Sequence, residues 1–444
     1  MDNSVSVKKR VAFAFIIVTI CLFTACTMSL TVMDDHLDPV ETRDVKEKPE
    51  SVQPGLLEDV QEKADSAERE PTTKPHQLRL AVVGDLMVHG PQLRAQLQTD
   101  GTYDFHNNFD FIKPWLQSSD VVVGNLETTF AGSAQGYSSF PRFNTPDAFG
   151  EALRDAGFDG VSTVNNHSID TGTLGFFRTL MVLEKMGIEV MGTRSHKTDE
   201  YWSLFVHDEI VLGITAVSYE TPRAYGRRTL NALLIPEELD GLINSFDYHT
   251  WEEDLLPVKE QLEAMKEAGA DITAVMIHWG EEYQLRHNRW QETIANELAA
   301  AGADLILGSH PHVLQPVRPI QRDPEGPTTW VVYSSGNFIS NQRFEILKRH
   351  EPEDGAIFFV DLIKNPGNGS VEIKNVSYQP TWVHRYWENN KLVYEILPLA
   401  EALKQPEQYK LLSSDSLHRA QNSLKRTITQ WHNIPLANFP GTEP

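Results

Sequence analysis

This sequence contains few cysteines, and its basic residues are outnumbered by its acidic ones. The 444 residues include two cysteines, and 39 Lys and Arg stand against 62 Asp and Glu, which gives a formal net charge of −23. The cysteine count excludes a disulfide scaffold and a cysteine-rich zinc module. The acidic balance excludes a nucleic-acid partner held by a general basic field. With 40% hydrophobic and 23% charged residues, the composition is that of a globular protein.

The N-terminal segment 1–26 resembles a bacterial lipoprotein signal. Basic residues at 8–10 precede an apolar run at 11–23, and two small or polar residues lead to Cys26. The resemblance implies cleavage before Cys26 and acylation of its thiol. The alternative is an uncleaved transmembrane helix, because no charged residue lies within 11–33. Either anchor predicts that the remaining chain lies on the extracytoplasmic face of the cell membrane.

Beyond this segment the composition changes twice. Residues 27–77 contain many acidic, Lys, Pro and Ser residues and no Phe, Trp or Tyr, which predicts a disordered acidic linker. From Leu78 onwards, short apolar runs alternate with amphipathic segments, and this alternation predicts an α/β fold. Helices are expected at 146–156, 173–186, 257–268 and 289–301. Three of them lead into Gly157, Gly269 and Gly302, which suit left-handed helix C-caps.

Polar side chains follow six of the apolar runs. The six loops are Gly84-Asp85, Gly124-Asn125-Leu126-Glu127, Asn165-Asn166-His167, His278-Trp279-Gly280-Glu281, Gly308-Ser309-His310-Pro311-His312 and Ser335-Gly336-Asn337. Each loop alone is explained by turn chemistry or by a hydrogen-bonded core residue. In α/β sheets, however, ligands bind outside the carboxyl ends of the strands, so we expect the six loops to form one site. Their oxygen and nitrogen donors suit Zn, Mn or Fe.

The six loops, in this order, resemble the poly-gamma-glutamate capsule-synthesis proteins of the CapA type, which are similar in turn to the calcineurin-like metallophosphatases. The resemblance covers about 78–342 and implies a four-layer α/β/β/α sandwich. We therefore predict a CapA/metallophosphatase-like domain at 78–345. Alternating apolar residues at 346–398 predict strands that complete the sandwich, and amphipathic segments at 399–444 predict a C-terminal helical tail.

The resemblance also implies a site for one or two divalent ions, Mn, Fe or Zn. The first ion would be bound by Asp85 and His312, and the second by Asn166, His278 and His310. Asn125 falls where the metallophosphatases have a bridging Asp, and Glu127 is the alternative bridge. His167 is expected to act as the acid near the leaving group.

Three residues are assigned to substrate binding and to support of the ligands. Arg142, in a loop that resembles one in the family, either grips an anion with its guanidinium or forms a surface salt bridge. Glu282 and Asn337 are expected to lie behind His278 and His310 and to orient them.

Two functions remain open. The first is a membrane-anchored, extracytoplasmic, metal-dependent hydrolase or transferase of capsule polymer biosynthesis, which acts on an anionic polymer such as poly-gamma-glutamate or on a phosphoester. The second is a non-catalytic assembly or export subunit that contacts the membrane subunits of the capsule synthase and retains the metallophosphatase fold. The sequence alone does not separate them.

Replacing Cys26 with Ser tests the lipid anchor. If Cys26 is the acylated residue, the variant loses fatty-acid labelling because serine has no thiol to acylate, while the wild type is labelled in the same cells. A Cys21→Ser variant is the matched control and keeps its label. An unlabelled wild type that stays in the membrane would contradict the lipid anchor and favour the transmembrane helix.

Overall fold

The computed structural model describes residues 75–324 and 326–438. The predicted signal or anchor at 1–26, with Cys26, lies outside the described residues, as does nearly all of the predicted linker at 27–77. Among the described residues, no helix has both the length and the apolar character needed to cross a membrane.

The described chain alternates strands and helices. The strands are β1 (Gln77–Leu86), β2 (Val121–Leu126), β3 (Gly160–Ser162), β4 (Glu189–Met191), β5 (Trp202–His207), β6 (Ile210–Tyr219), β7 (Thr221–Ala224), β8 (Arg227–Leu230), β9 (Leu233–Leu234), β10 (Ser245–Phe246), β11 (Ile272–His278), β12 (Leu305–Ser309), β13 (Val317–Gln321), β14 (Thr328–Val332), β15 (Asn337–Ile339), β16 (Asp354–Lys364), β17 (Val371–Glu388) and β18 (Lys391–Pro398). The α-helices are α1 (Gly90–Gln96), α2 (Lys113–Leu116), α3 (Ala148–Ala156), α4 (Gly172–Met186), α5 (Trp251–Asp254), α6 (Leu256–Glu267), α7 (Arg289–Ala300), α8 (Phe344–Leu347), α9 (Leu399–Ala402) and α10 (Ser414–Gln430). Single 3-10 turns lie at His106–Asn108, Ser133–Gln135, Glu237–Leu239 and Glu351–Glu353.

The strands form two large sheets and one small one. The first sheet has the order β18-β17-β16-β1-β2-β3-β4, with β15 also paired to β1. The second has the order β10-β6-β11-β12-β14-β13, with β5 paired to β6, and β7, β8 and β9 form the small sheet. Within the large sheets, β1 to β4 run parallel to one another, as do β6, β11, β12 and β14. Their carboxyl ends therefore share an edge in each sheet.

Alternating side chains along β1 show how the layers stack. Leu80 and Val82 belong to a buried cluster that includes Leu212 and Met276 of the second sheet, so the two large sheets pack face to face. Ala81 and its neighbours on the other face pack against α3 and α4. The outer face of the second sheet likewise packs against α6 and α7. The predicted four-layer α/β/β/α sandwich is confirmed by this layering.

The predicted glycine caps are also confirmed. Helix α3 ends at Gly157, which has a φ of 107° and whose amide donates to the carbonyls of Arg154 and Leu153. Gly269 and Gly302 each have a φ of 99°. A side chain at such angles is strained, so glycine allows the chain to turn directly into the next strand.

The C-terminal helical extension packs on the first sheet. The buried Trp431, which follows α10, packs against Tyr378 with ring centres 5.3 Å apart. Its indole Nε1 donates to the carbonyl of Gln315 at 2.8 Å. Arg426 of α10 donates to the buried Asp354 carboxylate at 2.6 Å. These contacts make the extension part of the core and not a loose tail.

Gly84 lies where β1 and β15 meet, and a substitution at this position tests how tightly the two strands approach. A Cβ atom at position 84 would lie 1.9 Å from the carbonyl oxygen of Gly336, a backbone atom that has little freedom to move. We expect Gly84→Ala to lower the free energy of unfolding by at least about 2 kcal/mol, measured by denaturant titration.

The matched control for this variant is Gly90→Ala. A Cβ at position 90 meets nothing closer than 3.4 Å. The control should keep its stability or gain up to about 1 kcal/mol, because alanine favours a helix. Equal stability of the two variants would contradict the tight approach at Gly84.

Candidate metal centre

The carboxyl ends of strands from both large sheets bring the predicted ligands together. Asp85 near the end of β1 is in register with Asn125 of β2 and with Asn337 of β15. His278 ends β11, and His310 and His312 follow β12, its parallel neighbour. All of these side chains are buried. The prediction that distant loops form one site is therefore consistent with where the strands end.

Two groups of donor atoms share one carboxylate. Asp85, Glu127 and His312 form one group, and Glu127, His278 and His310 form the other. Within each group the potential ligand atoms lie within 4.8 Å of one another. Glu127 belongs to both groups, so it occupies the position that a bridging ligand would take.

Glu127 is the least satisfied polar side chain of the site. It is fully buried, and neither carboxylate oxygen has a hydrogen-bond partner among the described residues. Burial raises the pKa of Glu127 well above its ordinary value, and the nearby Asp85 and Glu282 raise it further. An unpartnered buried carboxylate costs stability unless a cation compensates it. The local chemistry therefore favours a bound cation between the two groups.

The loop after β12 holds its two histidines in unusual backbone conformations. His310 has a φ of 94° and His312 a φ of 56°, in the left-handed region that non-glycine residues rarely adopt. Gly308 allows this loop to approach its neighbours, since a Cβ there would lie 2.1 Å from the carbonyl oxygen of Tyr333. His310 Nδ1 is buried without a hydrogen-bond partner. Strain of this kind persists where the surrounding structure holds it, commonly at functional sites.

Other side chains fix the rings of His278 and His312. His278 Nδ1 lies 2.9 Å from Ser309 Oγ, and its Nε2 lies 2.8 Å from Asn166 Oδ1. His312 Nδ1 lies 3.0 Å from Asp85 Oδ2, to which it donates when protonated there. Burial lowers the pKa of His278 well below its usual value, so this ring is neutral and able to bind a metal.

His312 differs from the other two histidines in its preferred charge. Burial opposes protonation of the ring, but the hydrogen bond and the charge of Asp85 outweigh burial and raise the pKa of His312. Burial lowers the pKa of His310 well below its usual value, and the neighbouring His312 lowers it further. His312 therefore keeps its proton to a higher pH than His278 and His310 do.

His167 forms a dyad with Asp170. Its Nδ1 donates to Asp170 Oδ2 at 2.7 Å, and the same carboxylate oxygen accepts the backbone amide of Phe143 at 2.7 Å. The other ring nitrogen, Nε2, lies 3.9 Å from Glu127 Oε1. Asn231, at the tip of the β8–β9 hairpin, donates to Asp170 Oδ1 at 3.5 Å. This arrangement fixes the tautomer of His167 and directs Nε2 towards the donor groups.

The remaining predicted residues have specific neighbours. Asn125 Nδ2 donates to Asp85 Oδ1 at 2.8 Å, and its Oδ1 accepts from Asn165 at 3.2 Å. Asn337 Oδ1 lies 3.2 Å from His312 Nδ1 and thus beside His312 rather than the expected His310. The reason is the pairing of β15 with β1, which aligns Asn337 with Asp85.

Arg142 and Glu282 are both exposed. Glu282 influences the pKa of Glu127 but makes no hydrogen bond to His278 among the described residues. Arg142 lines a cavity of about 480 Å³ together with Asp170. Among the described residues, its guanidinium has no ion-pair partner, so the surface salt bridge that was one interpretation of Arg142 is not formed there. The roles predicted for both residues stay predictions.

Three residues of the site were not predicted from the sequence. Asp170 follows His167 by three residues, a spacing that was visible but shared by many turns. Tyr219 ends β6, and its ring centre lies 4.7 Å from that of His310. The apolar run before Tyr219 carried the same strand-end signal as the six loops. Asn231 gave no signal, because it reaches His167 from a separate hairpin.

The donor set fits a divalent cation. Carboxylate oxygens and imidazole nitrogens are borderline to hard ligands, which suit Zn, Mn or Fe and do not select thiophilic metals. The orphaned oxygens of Glu127 and the unpartnered Nδ1 of His310 are available for binding. The residues therefore match the one or two ions that the resemblance implied.

The family comparison agrees with the resemblance. The chain matches the protein family described as "Bacterial capsule synthesis protein PGA_cap" over residues 79–342, which include both donor groups. It is 27% identical over 303 residues to the "PGA biosynthesis protein CapA" of Bacillus subtilis (strain 168), covering 67% of this chain and 70% of that protein. It is also 27% identical over 270 residues to the "Capsule biosynthesis protein CapA" of Bacillus anthracis, covering 60% of each.

Solved structures with partial similarity include a phosphoesterase and a phosphatase. A calcineurin-like phosphoesterase, YfkN of Bacillus subtilis, is 13% identical with a TM-score of 0.35, covering 80% of this chain and 99% of that one. A phosphatase of Mycoplasma pneumoniae is 15% identical with a TM-score of 0.37, covering 75% of this chain and 98% of that one. The assignment of the four layers comes from the sheets of this chain itself.

Glu127→Gln separates metal binding from stability. Because burial raises the pKa of Glu127, the metal-free wild type loses stability as the pH rises above its ordinary value of 4.5. The neutral variant lacks this loss and should be more stable at pH 7 by about 1–2 kcal/mol without metal. It should also bind Mn, Fe or Zn at least about tenfold more weakly, measured by elemental mass spectrometry after dialysis.

The control for this variant is Glu260→Gln, an exposed change on α6. It should alter neither the stability of the metal-free protein nor the metal content. Full metal occupancy in Glu127→Gln would contradict the bridging role. Loss of both metal and stability would mean that Glu127 is a structural residue.

Proposed function

The chain belongs to the bacterial capsule synthesis protein PGA_cap family, and from that membership we propose that it is a metal-dependent hydrolase or transferase of capsule polymer biosynthesis. Its proposed substrate is an anionic polymer, poly-gamma-glutamate, or a phosphoester on the route to it. The observation that carries the proposal is the pair of buried donor groups that share Glu127. A purely structural role does not account for a buried carboxylate without a hydrogen-bond partner.

The residues of the site have separate proposed roles, either binding a cation or orienting the side chains that bind it. Asp85, Glu127 and His312 would hold one cation, and His278, His310 and Asn166 would hold a second with Glu127 as the bridge. A divalent cation supplies Lewis acidity there, which lowers the pKa of water and stabilises negative charge in the transition state. Ser309 and Asp85 orient the imidazoles, so the donors need little rearrangement before binding.

His167 is the proposed proton donor to the leaving group. Its Nδ1 proton is committed to Asp170, which leaves Nε2 to hold and release a proton on the side of the donor groups. A positioned acid of this kind contributes about 10²–10⁴-fold to the rate. Asn231 and the amide of Phe143 hold the Asp170 carboxylate, so the dyad keeps its orientation when the substrate enters.

Arg142 is the proposed anchor for the negative charge of the substrate. Its guanidinium lines the cavity that also contains Asp170, and no acidic residue among those described pairs with it. A free guanidinium binds a carboxylate or a phosphate through two parallel hydrogen bonds. An acidic chain held by Arg142 would extend past His167 towards the donor groups.

The proposed location is the extracytoplasmic face of the cell membrane, where Cys26 would carry the lipid anchor. The support for this location is the sequence of 1–26. A long acidic chain of 27–77 between the anchor and the folded part would let the enzyme reach a polymer at a distance from the bilayer. Membrane subunits of a capsule synthase are the proposed protein partners.

A second candidate function is a non-catalytic assembly or export subunit of the synthase. The observation that favours it is Asn125, a neutral side chain between Asp85 and His278 at the centre of the site. A neutral residue there lowers the negative charge available to a second cation. One ion held in this way would stabilise the fold without completing a two-ion catalytic centre.

His167→Gln distinguishes the two functions. In an enzyme, the variant keeps its metal content but loses about 10²–10⁴-fold in kcat on phosphoesters or gamma-linked glutamyl polymers, because the proton donor is gone. The measurement compares turnover with elemental analysis of the same preparation. A His196→Gln variant, which changes an exposed histidine, is the control and keeps full activity.

Capsule production in cells completes the test. If His167→Gln restores the capsule of a deletion strain as well as wild type does, and His310→Ala does not, the metal serves assembly and not catalysis. That result would overturn the enzymatic proposal. Loss of the capsule in both variants, together with loss of turnover in vitro, supports it.

A further inference from the structure

A second cavity lies outside the matched family region. It has a volume of about 310 Å³ and is built by residues from 343 to 419, whereas the family match ends at 342. The lining residues include the basic residues Arg343, Arg385, Arg419 and Lys410, together with His384. In a chain with a formal net charge of −23, four basic side chains around one small cavity stand out.

This cavity is called the basic cavity below, and its floor is a network of partly buried ion pairs. Arg343 is 2% exposed, and its Nε has no hydrogen-bond partner. Arg419 donates to both Glu345 and Glu353, and Arg385 lies 3.4 Å from Glu345. Burial opposes ionisation of Glu345, but the hydrogen bond from Arg419 lowers the pKa of Glu345 to about 2. Three guanidinium groups thus share two carboxylates, which leaves one positive charge in excess.

The rim of the basic cavity carries one more negative than positive charge. Lys410 is paired with Glu388 at 3.3 Å. Asp415 is exposed and lies in the first turn of α10, a helix of 17 residues whose N-terminus opens onto the cavity. The amide dipoles of such a terminus favour an anion. An anion on the floor would therefore be favoured by the three guanidinium groups and opposed by Asp415 on the rim.

Aromatic rings form one wall of the basic cavity. His384 lies between Trp382 and Tyr386, with ring centres 5.2 and 4.7 Å away and nearly parallel planes. Its Nε2 donates to the carbonyl of Lys410 at 3.0 Å, and its Nδ1 is buried without a partner. Burial lowers the pKa of His384 to about 4, so the ring is neutral at pH 7. Trp387 and Leu412, each 72% exposed, stand at the mouth.

We propose that the basic cavity is a second binding site, separate from the metal centre, that takes a carboxylate group of an acidic chain. The excess of one positive charge on the floor favours a carboxylate there, and the forked guanidinium groups match its two oxygens. The exposed Trp387 and Leu412 would pack against the methylene groups beside that carboxylate. The identity of the chain rests on the proposed function, because a capsule polymer rich in carboxylates can be held here while another segment reaches the metal centre.

Binding of a short gamma-linked glutamate oligomer to the detergent-solubilised full chain tests this site. The titration is done calorimetrically in a His310→Ala background, so that metal does not contribute. We expect Arg385→Gln with Lys410→Gln to weaken binding at least about tenfold. Asp415→Asn should tighten it about threefold, because a nearby negative charge is removed. A merely structural role of these residues does not predict tighter binding.

The matched control is Arg154→Gln with Lys113→Gln. Both residues are partly exposed and ion-paired, to Asp159 and Asp155, and neither lines the basic cavity. This control should bind the oligomer as the parent does. Equal binding by the control and by the Arg385 and Lys410 variant would overturn the proposal. Stronger binding of inorganic phosphate than of the oligomer would overturn the carboxylate assignment.

The two proposals fail in different ways. Absence of turnover by the wild-type protein, together with intact oligomer binding in the His310→Ala background, overturns the enzymatic function and leaves the basic cavity supported. Turnover without any effect of Arg385, Lys410 and Asp415 on oligomer binding overturns the basic cavity and leaves the enzyme supported.

Discussion

The burial of Glu127 beside Asp85 is the constraint on which the candidate site depends. The two carboxylates lie close together in a buried site and repel each other, and neither oxygen of Glu127 has a hydrogen-bond partner among the described residues. Surrounding groups compensate only in part: Asn125 and His312 donate to Asp85. A cation would supply the missing compensation, and Asp85, His278, His310 and His312 are the residues that would hold it together with Glu127. Binding of a cation at this position would therefore stabilise the fold.

Much of this arrangement could be predicted from the sequence, because the ends of the strands have a recognisable pattern. An apolar run that stops at a polar residue marks both the strand and its exposed carboxyl end, and six such runs sufficed to predict the common edge. The four layers followed from the family resemblance, and the inter-sheet cluster that contains Leu80 and Met276 confirms them. The helix ends at Gly157, Gly269 and Gly302 could also be predicted, because the positive φ at each of these positions favours glycine.

Other parts could not be predicted, because they depend on contacts between segments that are distant in sequence. Asn231 reaches the His167 dyad from the tip of a hairpin, and nothing in its neighbours records that contact. Asn337 lies beside His312 because β15 pairs with β1, a pairing across some 250 residues. The basic cavity likewise combines residues from β17, from the loop before α10 and from α10 itself. The periodicity of apolar residues predicts helices and strands and shows which of their faces are buried. It does not show which other segment packs against each face, because tertiary packing decides that.

The position of β1 has a consequence for how the chain folds. On one side β1 pairs with β2, which follows within 40 residues or so, but on the other it pairs with β16, which is synthesised near the end. Until residues 354–364 emerge, the central strand of the first sheet has an open edge that invites pairing with other chains. Contacts of such long sequence separation also slow the search for the native state. A nascent chain of this architecture would therefore keep one edge of β1 unpaired until residues 354–364 are made.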